Sequence, residues 1–235
     1  MLSEILVHNK SLLESTESYM TLQLDKIICL VHKLEKNAGD DYVDAFTCKE
    51  LSKGEYLLRE GTVCRHIWFL EKGMARVFDR KDGAEVTRYF FFPGEFIDAY
   101  CSSAQQVPSE VNIEIIQDSV VYTISRHKSR KLEAVYPVIS EIEKLVEKCH
   151  TIWLEKRIYN ILHSNAMEHY RYMLKHQAPI IRYVPVTYIA SYLGVSLETV
   201  SRIRAKIGKE TSLRPKLRTS AKSIDMKNKT SYVHS

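Results

Sequence analysis

Between Leu51 and Ile124 the chain consists of short runs rich in β-branched and aromatic residues, each stopped by a turn. That cadence restricts it to an antiparallel sandwich or barrel. Tyr56-Leu57-Leu58 precedes Glu60-Gly61, and Ile67-Trp68-Phe69-Leu70 precedes the turn residues Glu71-Lys72-Gly73. Ala75-Arg76-Val77-Phe78 leads into Asp79-Arg80-Lys81-Asp82-Gly83, a hairpin loop because glycine accepts positive φ. Val86 to Phe92 is a further strand ended by Pro93-Gly94, and Val111 to Ile116 and Val120 to Ile124 supply two more.

Helical periodicity flanks this module. Residues 22–36 place Leu24, Ile27, Ile28, Val31 and Leu34 on one face. Behind Pro137, residues 138–155 carry Val138, Ile142, Leu145, Cys149 and Ile152 at alternating steps of four and three. That is the 3.5-residue period of a seam facing a partner helix. An amphipathic helix packed on its own domain satisfies the same spacing. Residues 156–174 form another helical stretch, ending near Gln177-Ala178-Pro179.

The next segment is the most informative. Pro185 suits a helix start, and Ile189 and Leu193 share a face. Gly194 supplies a turn, and Ser196 is a good N-cap for a second helix. Val200, Ile203 and Ile207 form the inner face of that helix, and Leu197, Glu198, Ser201, Arg202, Ala205 and Lys209 form its outer face. Two short helices with this turn and a polar outer face make a helix-turn-helix, whose second helix enters the major groove. A helical hairpin packed on another protein is the alternative.

Charge favours a polyanion partner. Residues 1–156 hold 20 basic and 25 acidic side chains, a net of −5, whereas residues 157–235 hold 14 and 4, a net of +10. A solvated basic tail is the bland alternative, but a basic back half fits nucleic acid.

Other classes find little support. No stretch approaches the ~18 apolar residues of a membrane span. Met1 to Lys10 lacks a basic region followed by an apolar core, so a cytoplasmic location is expected. Cys29, Cys48, Cys64, Cys101 and Cys149 are odd in number and contain no C-x-x-C pair, which predicts reduced, mostly packed thiols. Neither the cysteines nor His8, His32, His66, His127 and His150 form a haem, iron–sulfur or metal motif, so no cofactor is expected. There is no nucleophile–base pair and no phosphate loop, so an enzyme is not expected.

Two stretches resemble a known family. Lys53-Gly54-Glu55-Tyr56-Leu57-Leu58-Arg59-Glu60-Gly61, followed by Ile67 to Val77, looks like the start of a cyclic-nucleotide-binding-type jelly roll. Ile189-Ala190, Leu193-Gly194-Val195-Ser196 and Glu198-Thr199-Val200-Ser201-Arg202-Ile203 resemble the DNA-binding signature of the Crp/Fnr regulators.

The resemblance implies an α+β chain with an N-terminal antiparallel β jelly roll, a long dimerisation helix and a C-terminal helical helix-turn-helix domain. The expected boundaries are a sensor at 1–136, a linker and dimer helix at 137–155, the DNA-binding domain at 156–207 and a flexible basic tail at 208–235. No wing strand pair is evident after Ile207.

The resemblance also implies site residues. Glu198 would accept from cytosine and Arg202 would pair with guanine. Leu197 stands where known members carry another arginine, so the half-site is expected to differ. Ser196, Thr199 and Lys206 are candidate phosphate contacts, and Ser201 shares the outer face. Val138, Ile142, Leu145, Cys149 and Ile152 would form the homodimer interface, and contact with RNA polymerase is implied.

Phe92-Pro93-Gly94-Glu95-Phe96 resembles the family's ligand loop, which makes Gly94, Glu95 and Ser109 a candidate effector pocket. The family's cyclic-AMP binders follow that loop with an arginine, but Ser102 to Ser109 contains no cation. A buried phosphate without a cation is costly, so another effector, or none, is expected. The rival reading is a small-ligand sensor acting through protein partners.

Overall fold

The computed structural model describes residues 1–15, 24–38 and 40–212. Helices α1 (Leu2–His8), α2 (Lys10–Ser15), α3 (Leu24–Ala38) and α4 (Asp40–Val43) precede the sheet. Strands β1 (Thr47–Leu51), β2 (Tyr56–Leu58), β3 (His66–Lys81), β4 (Ala84–Phe91), β5 (Phe96–Ile97) and β6 (Asn112–Ser125) follow, with α5 (Tyr100–Gln105) between the last two. The chain continues through α6 (Arg126–Val135), α7 (Val138–His163), α8 (Ala166–His176), α9 (Ala178–Tyr183), α10 (Val186–Leu193) and α11 (Leu197–Ser212).

The sheet is wholly antiparallel, and two long strands organise it. β3 and β6 pair along their length with register shifts between Leu70 and Ala75. Beyond the shifts they recruit different neighbours. β1 and β5 pair with the Leu70 end, and β2 and β4 pair with the other end. One sheet thus becomes two halves joined by continuous strands, the jelly-roll-like fold expected for this module.

The turn expected at Glu71-Lys72-Gly73 is instead a bulge inside β3. Gly73 has φ +97°, and an added Cβ would lie 2.0 Å from Ser119 Oγ and 2.6 Å from the Asp118 carbonyl. Only glycine permits this close crossing. The two expected strands on each side of the crossing are therefore single long ones.

Two hydrophobic clusters hold the fold. The first joins the roll to a helical layer, with Leu2, Leu6, Ile27, Val31 and Leu34 packed against Phe69, Leu70 and Ile97. The second joins Met74, Phe90, Phe92 and Ile116 of the roll to Tyr170, Met173, Ile180, Ile189 and Tyr192. The C-terminal helices therefore share a core with the roll.

Helix α7 departs from expectation in length and in facing. No glycine or proline interrupts Val138–His163, so one helix replaces the break expected at residue 155. It ends where Asn165 and Glu168 form a reciprocal capping box that starts α8. Val138, Ile142 and Cys149 of the heptad seam are buried in the chain's own first cluster, with Leu145 packed against it. Val138, Ile142 and Cys149 therefore fill the interior of their own chain and are not open to a partner, whereas Leu145 and Ile152 of the expected interface are half-buried. The amphipathic alternative describes this part of α7.

Two smaller corrections follow. Cys64 and Cys149 are buried, but Cys29, Cys48 and Cys101 are exposed, so packed thiols are the minority. Gly208 to Ser212, assigned to a flexible tail, continue α11. The rest of that expected tail, residues 213–235, lies outside the described residues, as do residues 22 and 23 of the expected first helix.

Candidate nucleic-acid interface

The two C-terminal helices meet through a tight turn. Gly194 has φ +69°, and the turn is closed by amide bonds from Gly194 to the Ser191 carbonyl and from Val195 to the Ala190 carbonyl. The Ser196 hydroxyl accepts from the Thr199 amide at 3.2 Å, which caps the start of α11. Pro185 sits at the N-cap of α10. Ile189, Val200 and Ile203 are buried between the helices and α8.

The opposite face of α11 is open. Ser196, Leu197, Glu198, Ser201, Arg202, Ala205, Lys206 and Lys209 are exposed, and Arg204 joins them. Thr199 is half-buried, and its hydroxyl accepts from Arg202 Nη2 at 3.2 Å. The Glu198 carboxylate is held below its ordinary pKa by its own amide, by the Ser196 hydroxyl and by Arg202. It is therefore a charged acceptor at neutral pH, displayed at the N-terminal end of a helix. Acceptor, cation and apolar group thus stand together on one exposed helical turn, in Glu198, Arg202 and Leu197.

Several arginine contacts among the described residues fix this helical pair to the rest of the chain. Arg204 Nε donates to the Tyr170 hydroxyl at 2.9 Å. Arg157 of α7 donates to the Tyr192 carbonyl at 2.5 Å and stacks on the Tyr192 ring, 3.6 Å from its centroid. Burial pulls the Arg157 pKa down from its ordinary value. Arg76 of β3 is buried between the rings of Phe78 and Tyr188 and is paired with Glu85 and Glu114. Sequence reasoning assigned no role to Arg157 or Arg76, since their aromatic partners Tyr192 and Tyr188 lie far along the chain.

The three candidate effector residues are each engaged in local structure. Glu95 is fully buried, and its carboxylate accepts from the Tyr89 hydroxyl at 2.8 Å and from the Phe92 amide at 2.7 Å. Gly94 lies under α2, where an added Cβ would come within 2.9 Å of Leu13. Ser109 bonds both the amide and the carbonyl of Val111. All three serve turns in this structure. Among the described residues there is no His, Cys, Asp or Glu cluster that could hold a metal, and no helix long and apolar enough to cross a membrane.

Comparisons with known proteins agree with this architecture. Residues 48–135 match the family model for a cyclic nucleotide-binding domain. Among solved structures, the chain resembles FixK2 from Bradyrhizobium japonicum, with TM-score 0.60 and 19% identity over 71% of this chain and 86% of that one. It resembles a CooA variant from Carboxydothermus hydrogenoformans, with TM-score 0.59 and 15% identity over 77% and 84%. It also resembles a protein described as a transcriptional regulator of the crp/fnr family from Eubacterium rectale, with TM-score 0.58 and 20% identity over 77% and 87%. At these identities the likeness is one of fold. No curated protein matches the sequence.

Proposed function

We propose that the chain is a sequence-specific DNA-binding transcription regulator of Crp/Fnr type that reads a palindromic site as a homodimer. One observation carries this reading: the outer face of α11 is exposed and displays Glu198, Ser201 and Arg202 while Val200 and Ile203 anchor its inner face. Arg202 and Glu198 read base edges, Leu197 meets an apolar edge such as a thymine methyl, and Lys206 and Ser196 contact phosphates. The basic back half supplies the sequence-independent part of the affinity.

The dimer forms through a different stretch of α7 from the heptad seam. Leu154, Ile158, Ile161 and Leu162 are 42–71% exposed and follow helical spacing along its C-terminal half. A second copy of the same helix buries such a stripe isologously. Contact with RNA polymerase belongs to the same reading. The effector is not cyclic AMP, because Glu95 is committed to its own turn and residues 102–109 offer no cation.

The test is selection of bound fragments from random duplex DNA at physiological salt. A two-fold repeat with half-sites about 34 Å apart is expected. Absence of any enriched sequence defeats the reading.

A further inference from the structure

A cavity of about 160 Å³ lies between the roll and the helical layer. Its floor is Ile67, Phe91, Phe96 and Ile124 of the sheet, and its roof is Ile139, Ile142 and Val146 of α7. Tyr42 and Phe46 close one side, and the exposed Tyr100 and Glu147 stand at the mouth. None of Gly94, Glu95 and Ser109 lines it.

The charges on this wall are unbalanced. Asp98, Glu143 and Glu147 face one guanidinium, Arg126. Arg126 is already paired through Nη2 with Asp98 and lies 3.6 Å from Glu143 through Nη1, while its buried Nε has no partner. His150 adds no positive charge at neutral pH, since burial lowers its pKa. Burial raises the pKa of Glu143, Arg126 lowers it, and the neighbouring carboxylates of Glu133, Glu147 and Asp98 raise it further. An anion entering here meets a net formal charge of −2, whereas an ammonium group meets carboxylates and aromatic faces, which stabilise cations.

We propose that this cavity binds a small organic cation, an apolar or aromatic body carrying one ammonium group that pairs with Glu143 and Glu147. The body fills the space between Phe46, Phe91 and Phe96, and the ammonium points toward the mouth. This rests on the sensor half of the reading above and is independent of DNA binding. Because the roof belongs to α7, the occupant touches the helix that reaches the DNA-reading pair through Arg157.

Titration calorimetry and thermal shift on the full chain without DNA test it, with two probes of nearly equal shape and opposite charge. Phenethylammonium is expected to bind saturably and raise the Tm, and phenylacetate is expected to do neither. Glu143→Gln is expected to weaken phenethylammonium at least about tenfold while leaving the unliganded fold intact by circular dichroism. Val146→Trp, which fills the cavity, is expected to abolish binding, and Glu147→Gln at the exposed mouth decides the matter if either variant misfolds. The proposal is overturned if phenylacetate binds as well as phenethylammonium, or if phenethylammonium fails to bind at about 10 mM. Undiminished binding in the folded variants overturns it equally.

Discussion

The Ser191 hydroxyl of α10 accepts from the Thr87 amide of β4 at 2.8 Å and donates to the Glu85 carbonyl at 2.6 Å. β4 is the last strand on its side of the sheet, so one side chain satisfies backbone groups that would otherwise face outward. The α10–α11 pair is thereby bonded to the roll by a strand-like pairing made with a hydroxyl.

Ser191→Ala removes both bonds and leaves a buried edge short of partners. A loss of about 1–2 kcal/mol is expected at that contact. Native-state hydrogen exchange reads it directly: the Thr87 amide loses protection, while amides of the β3–β6 pairing keep theirs. Unchanged protection at Thr87 would show that the contact is not maintained in solution.

Arg202→Ala removes the exposed guanidinium on the outer face of α11 without touching the Val200 and Ile203 anchors. Binding to a selected operator should weaken by ~1–3 kcal/mol, with base preference relaxed at one position per half-site. Lys206→Ala should weaken all sequences alike and lower the salt dependence by about one unit. Competition binding at several salt concentrations separates the two.

Ile158→Glu with Leu162→Glu places two charges on the exposed stripe of α7. Monomers are expected by sedimentation velocity, with little change in the unfolding of the roll. Cys149→Asp, by contrast, buries a charge in the chain's own core and should destabilise folding by about 3 kcal/mol or more. An unchanged dimer in the double variant would move the interface elsewhere.

His169 is held to a pKa of about 4 from its ordinary 6.5, first by burial and then by the Arg157 charge, and its ring nitrogen lies 3.3 Å from the Arg157 guanidinium. The unfolded chain therefore takes up a proton that the folded chain refuses. Stability is full above pH 6.5, falls as pH drops toward about 4 and then levels. Buried His150 acts in the same direction. Urea midpoints should fall by the equivalent of about 1–2 kcal/mol between about pH 7.5 and about pH 5, and His169→Gln should flatten that dependence.

Gly73→Ala tests the crossing of β3 and β6. A methyl group there meets Ser119 at 2.0 Å in a backbone conformation that L residues rarely adopt. A cost of about 2–4 kcal/mol is expected. Gly83→Ala, also at positive φ but with open space around it, should cost less. Equal losses would mean that φ, not the crossing, sets the requirement at residue 73.

Local signals were legible and long-range ones were not. The Gly194 turn, the Ser196 cap and the buried and exposed faces of α11 are encoded within one short stretch, and the structure forms them there. Gly73 read as a turn because a glycine after a strand carries the same local signature as a bulge. Only the Ser119 partner, far along the chain, distinguishes them. The seam of α7 was ambiguous for a similar reason, since Val138, Ile142 and Cys149 show the same spacing whether the facing surface is a second chain or this roll. The Asn165 and Glu168 box was readable and would have placed the helix end correctly. At Gly94-Glu95 the motif shows residue types but not what they bond, and the Glu95 carboxylate bonds Tyr89 and Phe92.

The unbroken course of α7 makes it a lever. Its 26 residues span about 39 Å. Its near end roofs the cavity, and Arg157 grips α10 through the Tyr192 carbonyl toward its far end. A tilt of only ~5° at the cavity displaces the far end by about 3 Å, comparable to the offset that separates a base-edge hydrogen bond from none. A break at residue 155 would have absorbed that motion in a loop. A rigid rod instead magnifies a small event beside Glu143 into a displacement of the surface that carries Arg202.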